Sequence, residues 1–419
     1  MAVKKCIESV VKITASSLEL GKMKVSLSIE MEVDMEQYDV IVAGGGMVGA
    51  ATALGLAQQG LSVAVIEGKA PEPFEPHSDG LTCSAISPNS IALLTRLGAW
   101  DSIMKMRLCP FKRLETWEHP ECRTRFNADE MNLDRLGYII ENRIIQLGLW
   151  HQFDLYPNLT LLCPARMAHS HSTTDGYCVA LDNGRQLQAK LLIGADGANS
   201  QVRQQAGIGI TAWDYRQHCM LINVETALPQ QDITWQMFTP RGPRSFLPLT
   251  GHQGSLVWYD SPKRIKQLSA MDDIQLHSEV EAHFPKELGE FKVLNHGSFP
   301  LTRRHAQHYY KSNVVLLGDA AHTINPLAGQ GVNLGFKDVD VLLHEIEKAG
   351  KEWINISVLK AYERRRRPDN LLMQTGMDVF YTTFSNSLLP LKLARNVGLK
   401  LAEHTGPLKK QVLKYAMGI

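Results

Sequence analysis

The sequence predicts an α/β (α+β) fold: a parallel sheet with crossover helices, interrupted by a smaller inserted sheet and followed by a C-terminal helical segment. Three observations predict it. An apolar run from Tyr38 to Ala43 enters Gly44-Gly45-Gly46-Met47-Val48-Gly49, where glycines at GxGxxG spacing open an apolar-periodic segment. Far down the chain, a second buried-strand pattern, Asn313 to Leu317, runs into Gly318-Asp319-Ala320-Ala321-His322. Between these, Gln217 to Glu225, Ile233 to Thr239, Arg244 to Leu249 and Ser255 to Tyr259 read as short strands punctuated by Pro and Gly.

Residues 1–36 precede the first strand and add nothing to a dinucleotide fold. They mix Lys and Glu, lack the apolar core of a signal peptide, and contain further methionines at Met23, Met31 and Met35. A loosely ordered extension or an upstream start is the expectation there.

The first strand, turn and helix form a dinucleotide fingerprint. Gly44 makes the tight turn, Gly46 lets backbone approach a pyrophosphate, and Gly49 lets the helix pack closely. The helix N-terminus then faces phosphate. A second strand, Ser62 to Ile66, ends in Glu67, near the ~20-residue offset at which a carboxylate receives ribose hydroxyls.

Two more strand-to-glycine junctions follow. Lys190 to Ile193 leads into Gly194-Ala195-Asp196-Gly197, and the 313–317 strand leads into Gly318-Asp319. Asp319 sits where it could accept hydrogen bonds from a polyol chain. Beyond it, Asn325-Pro326 and Gly329-Gln330-Gly331-Val332-Asn333 begin a helix whose small residues leave N–H groups unobstructed. Three junctions far apart in sequence could converge on one ligand.

Composition excludes several function classes. A net charge of +1 gives no electrostatic case for nucleic acid. Cys6, Cys83, Cys109, Cys122, Cys163, Cys178 and Cys219 are odd in number and contain no CxxC pair, which argues for a reducing cytoplasm and against a zinc site or disulfide framework. No metal is expected. No apolar run approaches the ~18 residues that span a bilayer.

At these residues the chain resembles the aromatic-ring hydroxylases of the group A flavoprotein monooxygenases, over roughly residues 37 to 416. Leu136-Gly137-Tyr138 with Glu141-Asn142-Arg143, Ser298 to Leu301, and Asn325 to Gly335 look like the ubiquinone-biosynthesis hydroxylases of that family. Trp258 to Pro262, paired with Arg303-Arg304-His305, narrows the resemblance to one bacterial member. The resemblance implies a Rossmann-like FAD-binding domain with an inserted β-sheet substrate domain. It divides the chain into 37–212 and 301–375 for FAD, 213–300 for substrate, and 376–419 as a C-terminal helical segment.

The resemblance also assigns roles. Gly44, Gly46, Gly49 and Glu67 would hold the ADP part, Asp196 would lie near pyrophosphates, and Gly318, Asp319, Pro326, Gly329, Gly331 and Asn333 would hold ribityl and flavin. Arg143 would contact FAD phosphates or cap a helix. Relatives commonly carry Arg where this chain has Thr82, so Arg143 compensates there or flavin is held less tightly.

The implied activity is hydroxylation of a prenylated quinol or phenol in ubiquinone biosynthesis. NAD(P)H or another donor would reduce FAD, O₂ would add at flavin C4a, and the hydroperoxide would attack the ring. The cofactor carries the hard step, so the protein supplies a dry pocket, placement and charge stabilisation. His322 and His305 are the candidate acceptors for the ring hydroxyl proton, each equally readable as a structural hydrogen-bonding residue. Trp235, Phe238, Phe246 and Trp258 are candidate cavity-lining aromatics or plain core. The alternatives are another ring-position hydroxylase of the pathway, a flavin oxidoreductase without oxygen insertion, and a non-catalytic assembly protein. The tryptophans include no Trp-x-Trp pair, which speaks against a halogenase.

Arg364 to Arg367, before Pro368, reads as a solvated helix face ending at a break. From Leu388 to Ile419, leucines alternate with Lys392, Arg395, Lys400, Lys409, Lys410 and Lys414 against the single acid Glu403. That pattern fits a basic amphipathic helix at a bilayer surface, or an apolar stripe packed on the FAD domain. A peripheral contact with the inner membrane and a complex of biosynthetic proteins are the expected partners.

Overall fold

The central strand, Glu36–Ala43, pairs in parallel with Val63–Ile66 on one side and Gln186–Gly194 on the other. Both faces are covered, which is why Val40, Ile41 and Val42 are consecutive and all fully buried. The computed structural model describes residues 35–76, 80–325, 331–386, 388–404, 406, 409 and 411. Nearly all of the expected N-terminal extension, Pro326, Gly329, Lys410, Lys414 and the last apolar residues of the chain lie outside the described residues.

Across the parallel sheet the order is Tyr310–Lys311, Val314–Leu316, Gln186–Gly194, Glu36–Ala43, Val63–Ile66, Leu159–Leu162. Glycine junctions follow three of these strands, at the same end of the sheet. The Met47–Gln58 helix is apolar on all sides because it is sandwiched between that sheet and the Gly331–Ala349 helix. A Cβ at Gly55 would stand 2.3 Å from Leu343 Cδ1, so the two helices meet at that glycine.

The second sheet is mostly antiparallel, in the order His322–Thr323, Phe291–Ala306, Ile210–Thr226, Gln253–Asp260, Arg244–Pro248, Ile233–Met237, Arg113–Trp117, Arg123–Asn127. Its two longest strands run through the expected boundaries at 212 and 300. Arg113–Trp117 and Arg123–Asn127, placed by sequence with the first FAD segment, extend this sheet instead. Strand periodicity reports burial, not which sheet a strand joins.

One face of the second sheet is covered by the Pro262–Leu268 and Asp273–His283 helices. Trp117, Met220, Ile222, Trp235, Phe246, Leu256 and Trp258 pack there against Ile265, Leu268, Leu276, Val280 and Phe284. Trp235, Phe246 and Trp258, expected as cavity-lining candidates, are therefore core on the helix side, since alternate residues of a strand point to opposite faces. Phe238 packs with Phe384 and Leu399.

The Arg364–Arg367 run does not precede a break. The helix continues from Ile356 to Phe384 with Pro368 inside it. Arg366 is buried on Asp338, and Arg365 pairs with Glu345. The Leu389–His404 helix docks on the edge of the second sheet through Arg395, which takes a bidentate grip on buried Glu118, and through Asn396 on the same carboxylate. Of its apolar residues Leu399 joins the docked face, while Leu391, Leu393, Val397 and Leu401 are 50–61% exposed. Among the described residues no helix is long and apolar enough to cross a membrane.

Candidate active site

The glycine turn is built by close approach. Gly44 adopts φ +100°, and a Cβ there would sit 2.4 Å from the Ala195 carbonyl oxygen. A Cβ on Gly49 would sit 1.9 Å from the Gly44 carbonyl oxygen, so this glycine lets the helix begin on top of the turn. Gly46 differs: its φ is −66°, and a Cβ there would meet nothing within 4 Å. The turn is dense beneath and open above. Glu67 Oε2 accepts from the Gly45 N–H at 2.7 Å, while Gln146 and Trp150 donate to the Gly45 carbonyl.

The second junction abuts the first, since the Ala195 N–H donates to Ala43 O at 2.8 Å. Asp196 Oδ2 accepts from Gln201 and Val202 N–H groups, and its Oδ1 is buried without a partner. Arg203, not singled out from sequence, ties this junction to the third by donating to Ala198 O and Ala320 O.

Asp319, at the third junction, is exposed, with protein packed closely around its carboxyl. That enclosure raises its carboxyl, with His322 and Arg304 opposing. Behind the turn lies a closed polar network centred on Asp338. Its Oδ2 accepts from His322 Nε2 at 2.5 Å and from the Gly318 N–H at 3.0 Å, and its Oδ1 accepts from Arg366 Nε at 2.8 Å and Asn370 Nδ2 at 3.1 Å. Burial alone would raise the Asp338 carboxyl, but His322 and Arg366 outweigh it and hold it at about 2. His322 is therefore committed to a buried network. A sequence signal existed: Asp338 occupies a buried position, flanked at i−4 and i+4 by Leu334 and Leu342, where an acid has no apolar reason to be.

His305 faces His322 across the strand pair, 4% exposed, with neither ring nitrogen in a hydrogen bond. Burial, then His322, Arg367 and Arg303, push it down to about 4, while Gln374 opposes. It is neutral at pH 7.

The Gly331–Ala349 helix starts beside this turn. A Cβ at Gly331 would meet nothing within 4 Å, and Asn325 is 1% exposed with both side-chain polar atoms unpartnered. Asn333 instead clamps the 85–90 segment, accepting from Ser87 N–H and Ser90 Oγ and donating to Ala85 O. Arg143 and Arg107 converge on buried Glu141, which also accepts from the Gly80 N–H. Thr82 is exposed close to this pair, its carbonyl accepting from the Asn142 N–H.

Ile324 and Leu334 pack with Met373 and Met377, and Met377 also packs against the opposite face of the second sheet, with Cys219, Leu221, Tyr259 and Leu301. On that face cross-strand pairs align Cys219 with Tyr259, Leu221 with Val257, and Asn223 with Ser255. Ser255 Oγ, Tyr259 OH and Asn223 Oδ1 are all buried without partners, at 0–1% exposure for these residues. Burial holds the Tyr259 hydroxyl well above its usual range and pushes the neighbouring Cys83 thiol up to about 12. The face is apolar, uncharged at these positions, and holds hydrogen-bonding atoms in reserve.

These features fit FAD. The open side of Gly46, the orphaned Asp196 oxygen and exposed Asp319 stand at junctions that follow three neighbouring strands, and Asn325 and Gly331 follow the third of them in sequence. The FAD binding domain family matches residues 37–373. The chain is 51% identical over 385 residues to 3-demethoxyubiquinol 3-hydroxylase of Escherichia coli, covering 91% of this chain and 98% of that protein. It is 35% identical to the ubiquinone hydroxylase UbiL of Rhodospirillum rubrum, covering 91% and 89%. In structure it resembles p-nitrophenol 4-monooxygenase of Pseudomonas putida, with a TM-score of 0.76 at 21% identity, covering 91% and 99%.

Proposed function

The chain belongs to the ubiquinone-hydroxylase family of FAD-binding monooxygenases, and on that footing we propose that it hydroxylates the ring of a prenylated demethoxyubiquinol at the open 3-position. The observation that carries the substrate class is the sheet face bearing Asn223, Ser255 and Tyr259. A quinol ring is apolar with two oxygens, and this face offers apolar Leu221 and Val257 around hydrogen-bonding groups that have no partner in the protein.

Bound FAD, with NAD(P)H or another donor and O₂, supplies the redox chemistry. Gly46 and the start of its helix would hold the pyrophosphate, Glu67 the ribose side, and Asp319 the ribityl chain. The Gly331 helix start and Asn325 would face the ring's anionic edge. Pro326 and Gly329 belong to the same proposed cradle. Arg143, turned onto Glu141, would act by fixing the Gly80–Thr82 segment over the sheet face.

On that face Tyr259 stays protonated and donates to a ring oxygen, while Asn223 and Ser255 position the ring. No strong base is required, because a quinol already carries two electron-donating hydroxyls. His322 and His305 act as positioning residues behind the Gly318–Asp319 turn. The buried, dry face limits wasteful decay of activated oxygen.

A prenylated substrate resides in lipid, so we place the exposed leucines of the Leu389–His404 helix at the bilayer surface. A complex with other enzymes of the pathway is the competing route of delivery. Deleting the gene and identifying extracted lipids by mass tests the assignment: demethoxyubiquinone should accumulate. Accumulation of a different precursor would move the reaction to another ring position, and unchanged ubiquinone would contradict the assignment.

A further inference from the structure

A cavity of about 620 Å³ opens at the end of the second sheet, away from the glycine junctions. Its wall carries Arg216, Arg241, Lys263 and Arg264 against one acid, Asp260. Asp260 is already committed to Arg244, and Arg264 to Glu279. Arg216, Arg241 and Lys263 have no ion-pair partner among the described residues. Three unneutralised cations on one concave wall make an anion site.

The wall is held in place by specific contacts. Arg216 adopts φ +53°, a left-handed conformation unusual for a side-chain-bearing residue, with its N–H held by Asp214 Oδ1 at 2.7 Å. Strained backbone of this kind persists only where its surroundings impose it. Gln217 Nε2 donates to Arg241 O at 2.9 Å, and its Oε1 is buried without a partner.

The neighbouring surface identifies the anion. Tyr381 walls both this cavity and a smaller apolar one lined by Phe238, Phe380 and Phe384. Val379 and Phe380 are 60% and 37% exposed. Phe384 packs on Leu399 of the Leu389–His404 helix, whose Leu391, Leu393 and Leu401 point outward. A basic cavity bordered by an exposed apolar band is the layout of a surface that sits at the lipid interface.

We propose that this cavity binds the phosphate of an anionic phospholipid headgroup, seating the enzyme on the bilayer with the aromatic and leucine band in the acyl boundary. The inference rests on the hydroxylase reading, because only a lipid-resident substrate requires such a seat.

The test uses full-length, FAD-loaded enzyme sedimented with vesicles of phosphatidylglycerol and phosphatidylcholine, or of phosphatidylcholine alone. Wild type should prefer the anionic vesicles, more so at low salt. The R216Q/R241Q/K263Q variant should bind them at least about tenfold more weakly. Its FAD content and its hydroxylation of a short-tailed, water-soluble quinol should match wild type. If the triple variant loses FAD, Lys263→Glu alone, at an exposed position, carries the same expectation. Equal pelleting on both lipids, or a variant that pellets like wild type, overturns the proposal. So does wild type that titrates inorganic phosphate, or pulls down an acidic protein, without responding to vesicles. Failure of wild type to hydroxylate the short-tailed quinol would sink the hydroxylase reading instead, whatever the vesicles show.

Discussion

His322 Nε2 lies 2.5 Å from Asp338 Oδ2, and both side chains are closed to solvent. The same carboxylate oxygen holds the Gly318 N–H, so the pair fixes the turn that presents Asp319. Replacing Asp338 with Asn removes the buried countercharge of Arg366 and leaves it only the half-exposed Asp369. A loss of about 3–5 kcal/mol in unfolding free energy is expected, together with reduced FAD content, read by urea unfolding and flavin absorbance. An Asp338→Asn variant as stable as wild type would remove the network from this account. The Asp338 carboxyl is depressed to about 2 in the folded chain. Its contribution is therefore complete above the unfolded value of about 4 and fades as pH falls towards 2.

His305 makes the opposite use of burial. Its folded value is held near 4, against about 6.5 unfolded. Between those values the unfolded chain binds more protons, so stability should fall as pH drops from 6.5 to 4 and level off above 6.5. The span is about 3 kcal/mol as an upper figure. His305→Asn should flatten that part of the curve relative to wild type; parallel curves would show that His305 protonates freely when folded.

Gly46 and Gly49 separate ligand space from folding space. Gly46→Val should give a folded protein with little flavin, because the added carbons enter the opening above the turn and touch no protein. Gly49→Ala should destabilise the fold itself, because its Cβ would strike the Gly44 carbonyl. Thermal unfolding and FAD stoichiometry report both, and a fully yellow Gly46→Val enzyme would refute the cradle.

Ser255→Ala tests the substrate face. Ser255 Oγ is buried without a partner, so its removal should leave stability unchanged or slightly raised. FAD content should be unaffected, while kcat/KM for the quinol falls by about tenfold and more peroxide is released per turnover. Unchanged kcat/KM would move the ring away from this face.

The sequence made the junctions legible because a GxGxxG turn and a Gly-Asp turn are local devices: strand, glycine and helix lie within a dozen residues. What it hid were relations made at long range. Nothing local says that Arg113–Trp117 joins the second sheet, that Asn333 clamps Ser87 and Ser90, or that Arg366 in a run of four arginines is the one turned inward. Trp235 and Trp258 looked available to a ligand because alternation in a strand names two faces without saying which one the helices cover. The outward leucines of the C-terminal helix were ambiguous for the same reason. An amphipathic pattern fixes a face, and only the long-range contacts of Arg395 and Asn396 on Glu118 and of Leu399 on Phe384 show which one is docked.

The central claim is that oxygen from O₂ enters the ring of a prenylated demethoxyubiquinol held on FAD. Purified, FAD-loaded enzyme given that quinol, a nicotinamide donor and ¹⁸O₂ tests it by product mass. The account predicts one labelled oxygen atom on the ring. A product that is only oxidised or reduced, or that carries oxygen from water, would contradict it.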